Sequence, residues 1–314
     1  MVLAETTEDV LICRSVPGFI RRRCQAILTA AWIYKVPLLQ KISPAELAAA
    51  VILRTLEEIE DLETSKISVI DFCSGAGGPI PTIERIVNDQ RRAKRKKPIP
   101  FVMSDLYPSL DAWMEVCSHS KGSLSFIPQS VDATDPPVSA TSTSTATSRT
   151  AEGYRSDTRV IRLFCLSFHH FNNAMAKKVL ESSMQTADAF AIIELQDRYL
   201  SSFALMLGHL PLIFAISIFR YWRDVLMLLL VYIIPIVPAI NTFDGLVSSM
   251  RTRSFREVMN LIGAQILERT KDEKQAIKDD WIFKSRYEMH SWPVGYMNWI
   301  VGYRQRKTDA PRTP

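Results

Sequence analysis

The stretch ISVIDFCSGAGGPIPTIE, from Ile67 to Glu84, decides the fold of this chain. Its β-branched beginning, Ile67–Ile70, predicts a buried strand, and the glycines that follow predict a turn in which no Cβ blocks a ligand. Pro79 and Pro81 suit the first turn of a helix, where a missing N–H costs little. The order of strand, glycine turn and helix is typical of a site for a nucleotide-like ligand.

Acidic residues follow the next two predicted strands. Pro100–Ser104 is an apolar strand that leads to Asp105, where a doubly wound sheet places the carboxylate that binds ribose hydroxyls. A third strand, Leu124–Ile127 with a continuation to Ala133, puts Asp132 at a strand end as well. We therefore expect three acids, each at the end of a strand, on one edge of a sheet.

Together these units resemble the class I S-adenosylmethionine-dependent methyltransferases, and the resemblance spans about Ser65 to Arg304. It implies an α/β fold with a seven-stranded Rossmann-like sheet, helices on both faces and a last strand that is antiparallel. The remaining strands are expected at Arg162–Cys165, Ala189–Leu195, Trp281–Tyr287 and Gly295–Tyr303. The resemblance also implies S-adenosylmethionine as cofactor, bound by Asp71, Cys73, Gly75, Gly77, Gly78, Asp105, Asp132, Ala133 and Ser167.

Two departures from the family pattern matter. Cys73 stands where the first glycine of the turn is usual, and this departure is tolerable if Cys73 needs no positive φ. The segment after the fourth strand is not of the Asn-Pro-Pro-Tyr type, which argues against methylation of nucleic-acid bases. A Rossmann dehydrogenase is the nearest alternative, but its ribose acid normally lies about 20 residues beyond the glycines. Asp105 lies 27 residues after Gly78.

Three residues are candidates for catalysis. His169 and His170 follow the fourth strand beside the expected position of the reacting methyl group, so either is a candidate general base for a hydroxyl or carboxylic acid. Glu194, at the end of the fifth strand, is a second polar candidate. Asp244 and Arg251 are weaker ones.

A hydrophobic insert follows the fifth strand, from Tyr199 to Phe243. Its only Asp, Glu, Lys or Arg residues lie between Arg220 and Asp224. A bilayer core about 30 Å thick needs about 20 helical residues, so each half is close to spanning length. Broken or shallow helices are favoured over straight ones by Pro211, Pro235 and Pro238.

The insert has three interpretations: a pair of membrane spans, a shallow re-entrant hairpin, and a soluble lid over the catalytic pocket. We favour membrane contact, and every alternative points to a hydrophobic substrate. After the insert, Asn241–Thr252 is predicted to be a polar return turn, and Ser254 with Glu257 forms a capping box that begins a helix.

The rest of the chain divides around this core. Ser43, Pro44 and Glu46 begin a helix that is expected to continue to about Leu62. The Ser/Thr-rich tract in 134–157 is predicted to be a disordered surface loop. The expected organisation is an N-terminal helical extension at 1–64 and a methyltransferase core in two parts, 65–198 and 244–305. The insert at 199–243 separates the two parts, and a loose tail follows at 306–314.

Composition and charge bound the setting. The 314 residues, 47% of them hydrophobic, suffice for one catalytic domain with additions. A net charge of +5 does not require a polyanionic partner, although Arg91–Lys97 is a basic run that suits a solvated loop, an anionic membrane surface or a nuclear signal. The five cysteines lack paired spacing, and Met1–Asp9 lacks the pattern of a secretory signal. We expect an intracellular protein with reduced thiols, associated with a membrane and with its catalytic domain facing the cytosol.

The sequence therefore predicts a methyltransferase that O-methylates a hydrophobic small molecule or lipid-like intermediate. The histidines lack the spacing of a metal site, so no metal is expected. A non-catalytic membrane scaffold that retains the cofactor fold is one alternative. A nucleic-acid methyltransferase steered by Arg91–Lys97 is another, and the apolar insert makes it the less attractive one; oligomeric state is left open.

Overall fold

The computed structural model describes residues 16–59, 66–137, 140, 158–267 and 273–305. The acidic N-terminus, Cys13, the end of the predicted helix near Leu62, most of the Ser/Thr-rich loop and the tail at 306–314 lie outside these residues. The other four cysteines are free thiols: Cys24, Cys73, Cys117 and Cys165.

A nine-stranded mixed sheet organises the described residues, so the α/β fold is confirmed and the prediction of seven strands is wrong. The strands are β1 Lys66–Phe72, β2 Phe101–Ser104, β3 Leu124–Phe126, β4 Thr158–Cys165, β5 Ala189–Glu194, β6 Gln265–Leu267, β7 Glu273–Lys278, β8 Trp281–Ser291 and β9 Gly295–Arg304. Their order in the sheet is β3-β2-β1-β4-β5-β9-β8-β7-β6. The two additional strands, β6 and β7, form an edge hairpin. Strand β6 has only three residues, and β7 carries Glu273, Lys274 and Lys278, so the apolar pattern of this hairpin is weak.

Strands β1 to β5 run parallel, and β9 is antiparallel to β5, as expected for the last strand. The carboxyl ends of β1 to β5 therefore meet at one edge of the sheet, which we call the carboxyl edge. Because β8 is antiparallel to β9, its carboxyl end reaches the same edge. The order of the strands reverses between β1 and β4, and open α/β sheets bind ligands at such a point.

Nine α-helices are described: α1 Gly18–Ile33, α2 Pro44–Ile59, α3 Ile80–Ala93, α4 Leu110–Ser118, α5 Asn173–Thr186, α6 Leu200–Arg220, α7 Val225–Leu228, α8 Ile236–Arg251 and α9 Phe255–Ile262. A short 3-10 turn, Phe168–His170, follows β4, and a π-helical turn, Leu229–Ile233, follows α7. Helices α2, α3 and α4 pack on one face of the sheet, and α5 and α9 pack on the other. Both faces are thus covered, as parallel strands require.

Local signals in the sequence predicted several helix starts. Ser254 and Glu257 form the predicted capping box at the start of α9. Ser43 accepts a hydrogen bond from the Glu46 N–H at 3.2 Å, and Glu46 accepts one from the Ser43 N–H at 2.6 Å, at the start of α2. Each cap joins residues only three apart, so neighbouring sequence is enough to specify it.

Two local predictions are wrong. Strand β3 ends at Phe126, so Asp132 lies in a loop beyond the strand rather than at its end. Asn241–Thr252 is not a return turn, because α8 continues through it to Arg251. The polar residues of that segment lie on a helix, with Ser248 and Ser249 buried.

A helical layer, which we call the cap, consists of α1, α6, α7, the π-helical turn and α8. It has a small apolar core of its own, to which α1 contributes Ile27, α6 contributes Ile213 and the later segments contribute Val231 and Val237. Among the described residues, α6 is long and apolar enough to cross a bilayer, with a mean hydropathy of 2.0. The segments Val225–Ile233 and Ile236–Arg251 meet the same criteria only as a pair, and that pair is bent by 70°. One such helix is weak evidence for a membrane, since core helices of soluble proteins share these properties.

Candidate cofactor and active site

The turn after β1 has the backbone conformation that favours glycine. Gly75, Gly77 and Gly78 have φ values of 54°, 101° and 44°, and Cys73 also has a positive φ of 61°. The condition that Cys73 needs no positive φ is therefore not met. This cysteine adopts the left-handed conformation that favours glycine, which is strained for a residue with a Cβ.

Asp71 is buried near the end of β1, and one of its carboxylate oxygens has no hydrogen-bond partner among the described residues. Its Oδ2 accepts a hydrogen bond from the Ser74 hydroxyl at 2.5 Å, whereas the buried Oδ1 has no hydrogen-bond partner among the described residues. Burial raises the pKa of Asp71 well above its ordinary value, and the nearby Asp105 raises it further, against the opposing effect of Ser74. An unpartnered buried carboxylate oxygen is suited to a cationic donor.

Asp105 follows β2 directly and reaches the glycine turn. Its two oxygens accept backbone N–H bonds from Gly75 and Tyr107, both at 2.8 Å. Each carboxylate oxygen has a second lone pair, so further donors such as ribose hydroxyls can still be accepted.

Asp132 and Ala133 lie beside the same turn, in the loop that follows β3. Asp132 is exposed, and its Oδ1 accepts hydrogen bonds from the N–H and hydroxyl of Thr134, both at 2.8 Å, whereas Ala133 is buried. Burial and then the charges of Asp105, Asp71 and Asp132 raise the pKa of the Cys73 thiol well above its ordinary value. The structure thus brings all three predicted acids close to the glycine turn, and it does so although Asp132 is not on a strand.

The start of α3 offers few donors to a phosphate. Pro79 and Pro81 have no N–H, and the N–H of Ile80 donates to the Gly77 carbonyl at 3.0 Å. The N–H of Gly77 is also used, by the Ser74 carbonyl at 2.7 Å. A helix start that binds phosphate needs free N–H groups pointing at the ligand, and here most of them are missing or occupied.

His169 and Glu194 form a buried pair at the ends of β4 and β5. The His169 Nδ1 lies 2.9 Å from Oε2 of Glu194, and the backbone N–H of His169 donates to Oε1 at 3.2 Å. Both side chains are less than 5% exposed. His170 is exposed, although its ring centroid lies only 4.2 Å from that of His169. The structure thus distinguishes the two histidines, and it is His169 that a carboxylate orients.

The other predicted polar residues lie around this turn. The buried Ser167 hydroxyl has no partner among the described residues, and Arg251 donates to the His170 carbonyl at 3.4 Å. Asp244 lies half-buried on α8. Sequence reasoning missed Arg253, whose guanidinium donates to the Phe171 carbonyl at 2.6 Å and so holds the end of the 3-10 turn.

Two further residues at the glycine turn were not predicted. The indole of Trp113, fully buried on α4, donates to the Gly75 carbonyl at 3.0 Å. Gln25 of α1 lies beside the same glycine, since its Nε2 is 3.7 Å from the position a Cβ on Gly75 would occupy. No local pattern marks either residue, because their roles depend on helices that return to the carboxyl edge from elsewhere in the chain.

Other ligand sites are not evident from side-chain clusters. No group of three His, Cys, Asp or Glu side chains in the described ranges is arranged to hold a metal ion. A surface groove of about 250 Å³ lies between α5 and the loop after Ala133, and none of the predicted site residues lines it.

No protein-family model matches this chain, and no curated protein does. Solved structures similar to it include the O-methyltransferase NcsB1 from neocarzinostatin biosynthesis, in complex with S-adenosylmethionine and 2-hydroxy-5-methyl naphthoic acid, at 11% identity, 82% of this chain, 56% of that chain and a TM-score of 0.36. The trans-methyltransferase CalH in complex with SAH matches at 10% identity, 91% of this chain, 59% of that chain and a TM-score of 0.44.

A protein described as a Zn-dependent alcohol dehydrogenase from Rhodobacter sphaeroides also matches, at 10% identity, 90% of this chain, 98% of that chain and a TM-score of 0.39. This chain spans little more than half the length of the two methyltransferases, 56% and 59%. Similarities of this size establish neither a family nor an activity, so the function has to be inferred from the site itself.

Proposed function

We propose that this protein transfers the methyl group of S-adenosylmethionine to an oxygen of a hydrophobic small molecule or lipid-like intermediate. The observation that supports the cofactor most directly is the group of three carboxylates, Asp71, Asp105 and Asp132, around the glycine turn. S-adenosylmethionine carries a sulfonium and an ammonium group, and a crevice lined with acids attracts cations.

The start of α3 disfavours a dinucleotide. A pyrophosphate is bound by free backbone N–H groups at a helix start, and the first turn of α3 is short of such donors because Pro79 and Pro81 have none. A Rossmann dehydrogenase therefore fits this turn poorly.

The residues present fit the sulfonium cofactor. Asp71 has a vacant buried oxygen for a cationic donor, Asp105 would bind the ribose hydroxyls, and Asp132 with Ala133 would contact the adenine. The positive φ angles of the turn bring the backbone close to the ligand without an intervening side chain at the glycines. When bound, the cofactor supplies an electrophilic methyl group for in-line displacement.

His169 is the general base in this mechanism. Hydrogen bonding between Nδ1–H and Glu194 fixes the tautomer in which Nε2 carries the lone pair. That nitrogen would accept the proton of the acceptor hydroxyl, and the bound cofactor would supply the methyl group for that oxygen. Glu194 stabilises the imidazolium that forms, and the backbone N–H of His169 holds the carboxylate in place.

The cap supports a hydrophobic acceptor. Helices α1 and α8 contact the glycine turn and the 3-10 turn through Gln25 and Arg251, so an acceptor that reaches His169 passes beneath the cap. The basic run Arg91–Lys97 lies at the end of α3, on the edge of the sheet opposite the site. It is therefore badly placed to steer a nucleic acid to the acids, and we do not favour that alternative.

The cofactor is tested by isothermal titration calorimetry. The wild-type protein should bind S-adenosylmethionine and not NAD⁺, and Asp71→Asn should weaken binding by about 10- to 100-fold, the effect of losing a charge-assisted hydrogen bond. Asp280→Asn, an exposed acid at the opposite edge, is the matched control and should bind normally. Binding of NAD⁺ in preference to S-adenosylmethionine would overturn the proposal.

The reaction is tested with methyl-labelled cofactor and a lipid or metabolite extract. Label should enter an extractable apolar product, and Asp105→Ala should abolish the transfer together with cofactor binding. If methyl transfer were untouched in Asp71→Asn and Asp105→Ala, the cofactor site would be elsewhere. If the cofactor bound but no extract accepted label, the non-catalytic scaffold would be the better description.

A further inference from the structure

Helix α6 is inverted relative to a helix on the surface of a soluble protein. The residues of its outermost stripe follow helical spacing and are all exposed and apolar: Leu200, Ala204, Leu207, Pro211, Ala215 and Ile218. In contrast, its serines Ser202 and Ser217 are buried. A soluble surface helix places polar residues outward and apolar residues inward, so this arrangement needs a non-aqueous partner on the outside.

The apolar surface continues past the end of α6. Further exposed side chains lie at Phe219, Trp222, Val225, Leu229 and Ile233. Phe219 is 81% exposed and Ile233 is 71% exposed, so these are not residues at the margin of a core. We call this surface, from the α6 stripe to Ile233, the outer face of the cap.

The charges around the outer face are basic. Asp224 is the only acidic residue between Tyr199 and Phe243, and it is paired with Arg23 at 2.7 Å. Arg220 ends α6 and donates a hydrogen bond to the Tyr34 hydroxyl at 2.6 Å. Arg223 lies in the turn that follows and stacks on the exposed Trp222 at 4.6 Å from the ring centroid. Arg21 and Arg22 are exposed on α1 beside the residue that holds Asp224. Apolar area rimmed by arginine and tryptophan suits an anionic lipid surface.

The position of α6 excludes a crossing of the bilayer. Its start is held at the end of β5, where Asp197 accepts hydrogen bonds from Tyr199 and Ser202 at 2.8 Å. Its far end rests on α1, where the Tyr221 hydroxyl donates to the Ala26 carbonyl at 3.2 Å.

The neighbouring residue of α1, Gln25, lies beside the glycine turn, so only one helix separates the end of α6 from the cofactor site. A helix is about 10 Å across, whereas a hydrocarbon core is about 30 Å thick.

We infer that the outer face of the cap docks on the surface of an anionic lipid bilayer, with its apolar side chains in the interface and Arg21, Arg22, Arg220 and Arg223 on the headgroups. The protein lies on one leaflet and does not span it. The docking surface does not depend on which reaction the protein catalyses. The further statement that the acceptor comes from the bilayer rests on the proposed function.

The test measures sedimentation of the full-length protein with vesicles of phosphatidylcholine, with and without phosphatidylserine. The wild type should partition onto the anionic vesicles, and Leu207→Glu with Ile218→Glu should reduce the partition coefficient at least tenfold. Both residues point outward, so the substitutions leave the fold intact, which circular dichroism verifies. Ile277→Glu, at an exposed apolar residue of β7 in the edge hairpin, is the matched control and should bind like the wild type.

The electrostatic part has its own control pair. Arg21→Gln with Arg22→Gln should weaken binding to anionic vesicles about tenfold or more, whereas Lys94→Gln with Lys97→Gln, on the opposite edge of the sheet, should not. A fluorescent label attached to Phe219→Cys should be quenched by iodide in solution when the protein is free. Adding vesicles should protect the label from external iodide, and iodide enclosed in the vesicles should not quench it.

Three outcomes would overturn the inference. The wild type could fail to bind either kind of vesicle, the cap variants could bind as well as the wild type, or iodide inside the vesicles could quench the label at position 219. A dimer in light scattering that Leu207→Glu abolishes, without vesicle binding, would instead assign the face to a second copy of the chain. Calorimetry with S-adenosylmethionine on the same samples separates the two proposals. Vesicle binding without cofactor binding would leave the docking surface standing and overturn the proposed function.

Discussion

Replacing Cys73 by glycine should stabilise this protein relative to replacing it by alanine. Both substitutions remove the thiol, so they differ only in the Cβ. At a φ of 61° that Cβ costs roughly 1–2 kcal/mol of steric strain. Glycine loses roughly 0.5–1 kcal/mol more backbone entropy on folding than alanine. The difference leaves Cys73→Gly more stable than Cys73→Ala by about 0.5–1 kcal/mol.

Cys165 provides the matched control because it is the last residue of β4, where a Cβ is not strained. There no strain opposes the entropy, so Cys165→Gly should be less stable than Cys165→Ala by at least about 0.5–1 kcal/mol. The order of the two variants therefore reverses between the two cysteines.

Urea denaturation followed by circular dichroism measures all four free energies of unfolding, with equal slopes as the condition for comparing them. If Cys73→Gly were no more stable than Cys73→Ala while the Cys165 pair behaved as expected, Cys73 would not be strained. The assignment of this residue to the glycine position of the turn would then fail.

Three further predictions concern the site. Burial raises the pKa of Asp71, so binding of a cation should release a proton, and the affinity for the cation should fall as pH decreases. Calorimetric titrations in buffers of different ionisation enthalpy measure the proton release. Asp71→Asn should show no such release. Glu194→Gln should lower methyl transfer about 100-fold or more while S-adenosylmethionine affinity in calorimetry stays unchanged, since the carboxylate acts through His169; a parallel loss of affinity would point to a structural role instead. Trp113→Phe should lower the free energy of unfolding measured by urea denaturation by about 0.5–1.5 kcal/mol, the contribution of one hydrogen bond. It should also weaken cofactor binding, because the Gly75 carbonyl loses its donor. An unchanged affinity would show that this hydrogen bond does not position the turn.

The sequence by itself determined the elements whose signals are local. The β-branched run before Asp71, the glycines after it and the cap of Ser254 with Glu257 each lie within a few residues of the structure they specify. The apolar insert was equally plain, because hydrophobic composition needs no knowledge of partners. The edge hairpin of β6 and β7 was missed because β6 has only three residues and β7 is rich in charged residues, and an exposed edge does not require an apolar pattern.

Only the tertiary structure decided how distant residues meet. His169 and Glu194 are 25 residues apart, and they pair because β4 and β5 end side by side. Trp113 reaches Gly75 because α4 folds back to the carboxyl edge. The backbone of Cys73 is set by a turn that must join Asp71 to α3, whatever residue stands there.

The same holds for the cap. Hydropathy shows that α6 is apolar, but it does not show whether protein or lipid surrounds the helix. A buried helix and a helix that faces lipid have similar compositions. Contacts at Asp197 and Ala26 fix both of its ends against the domain and leave its apolar stripe outside.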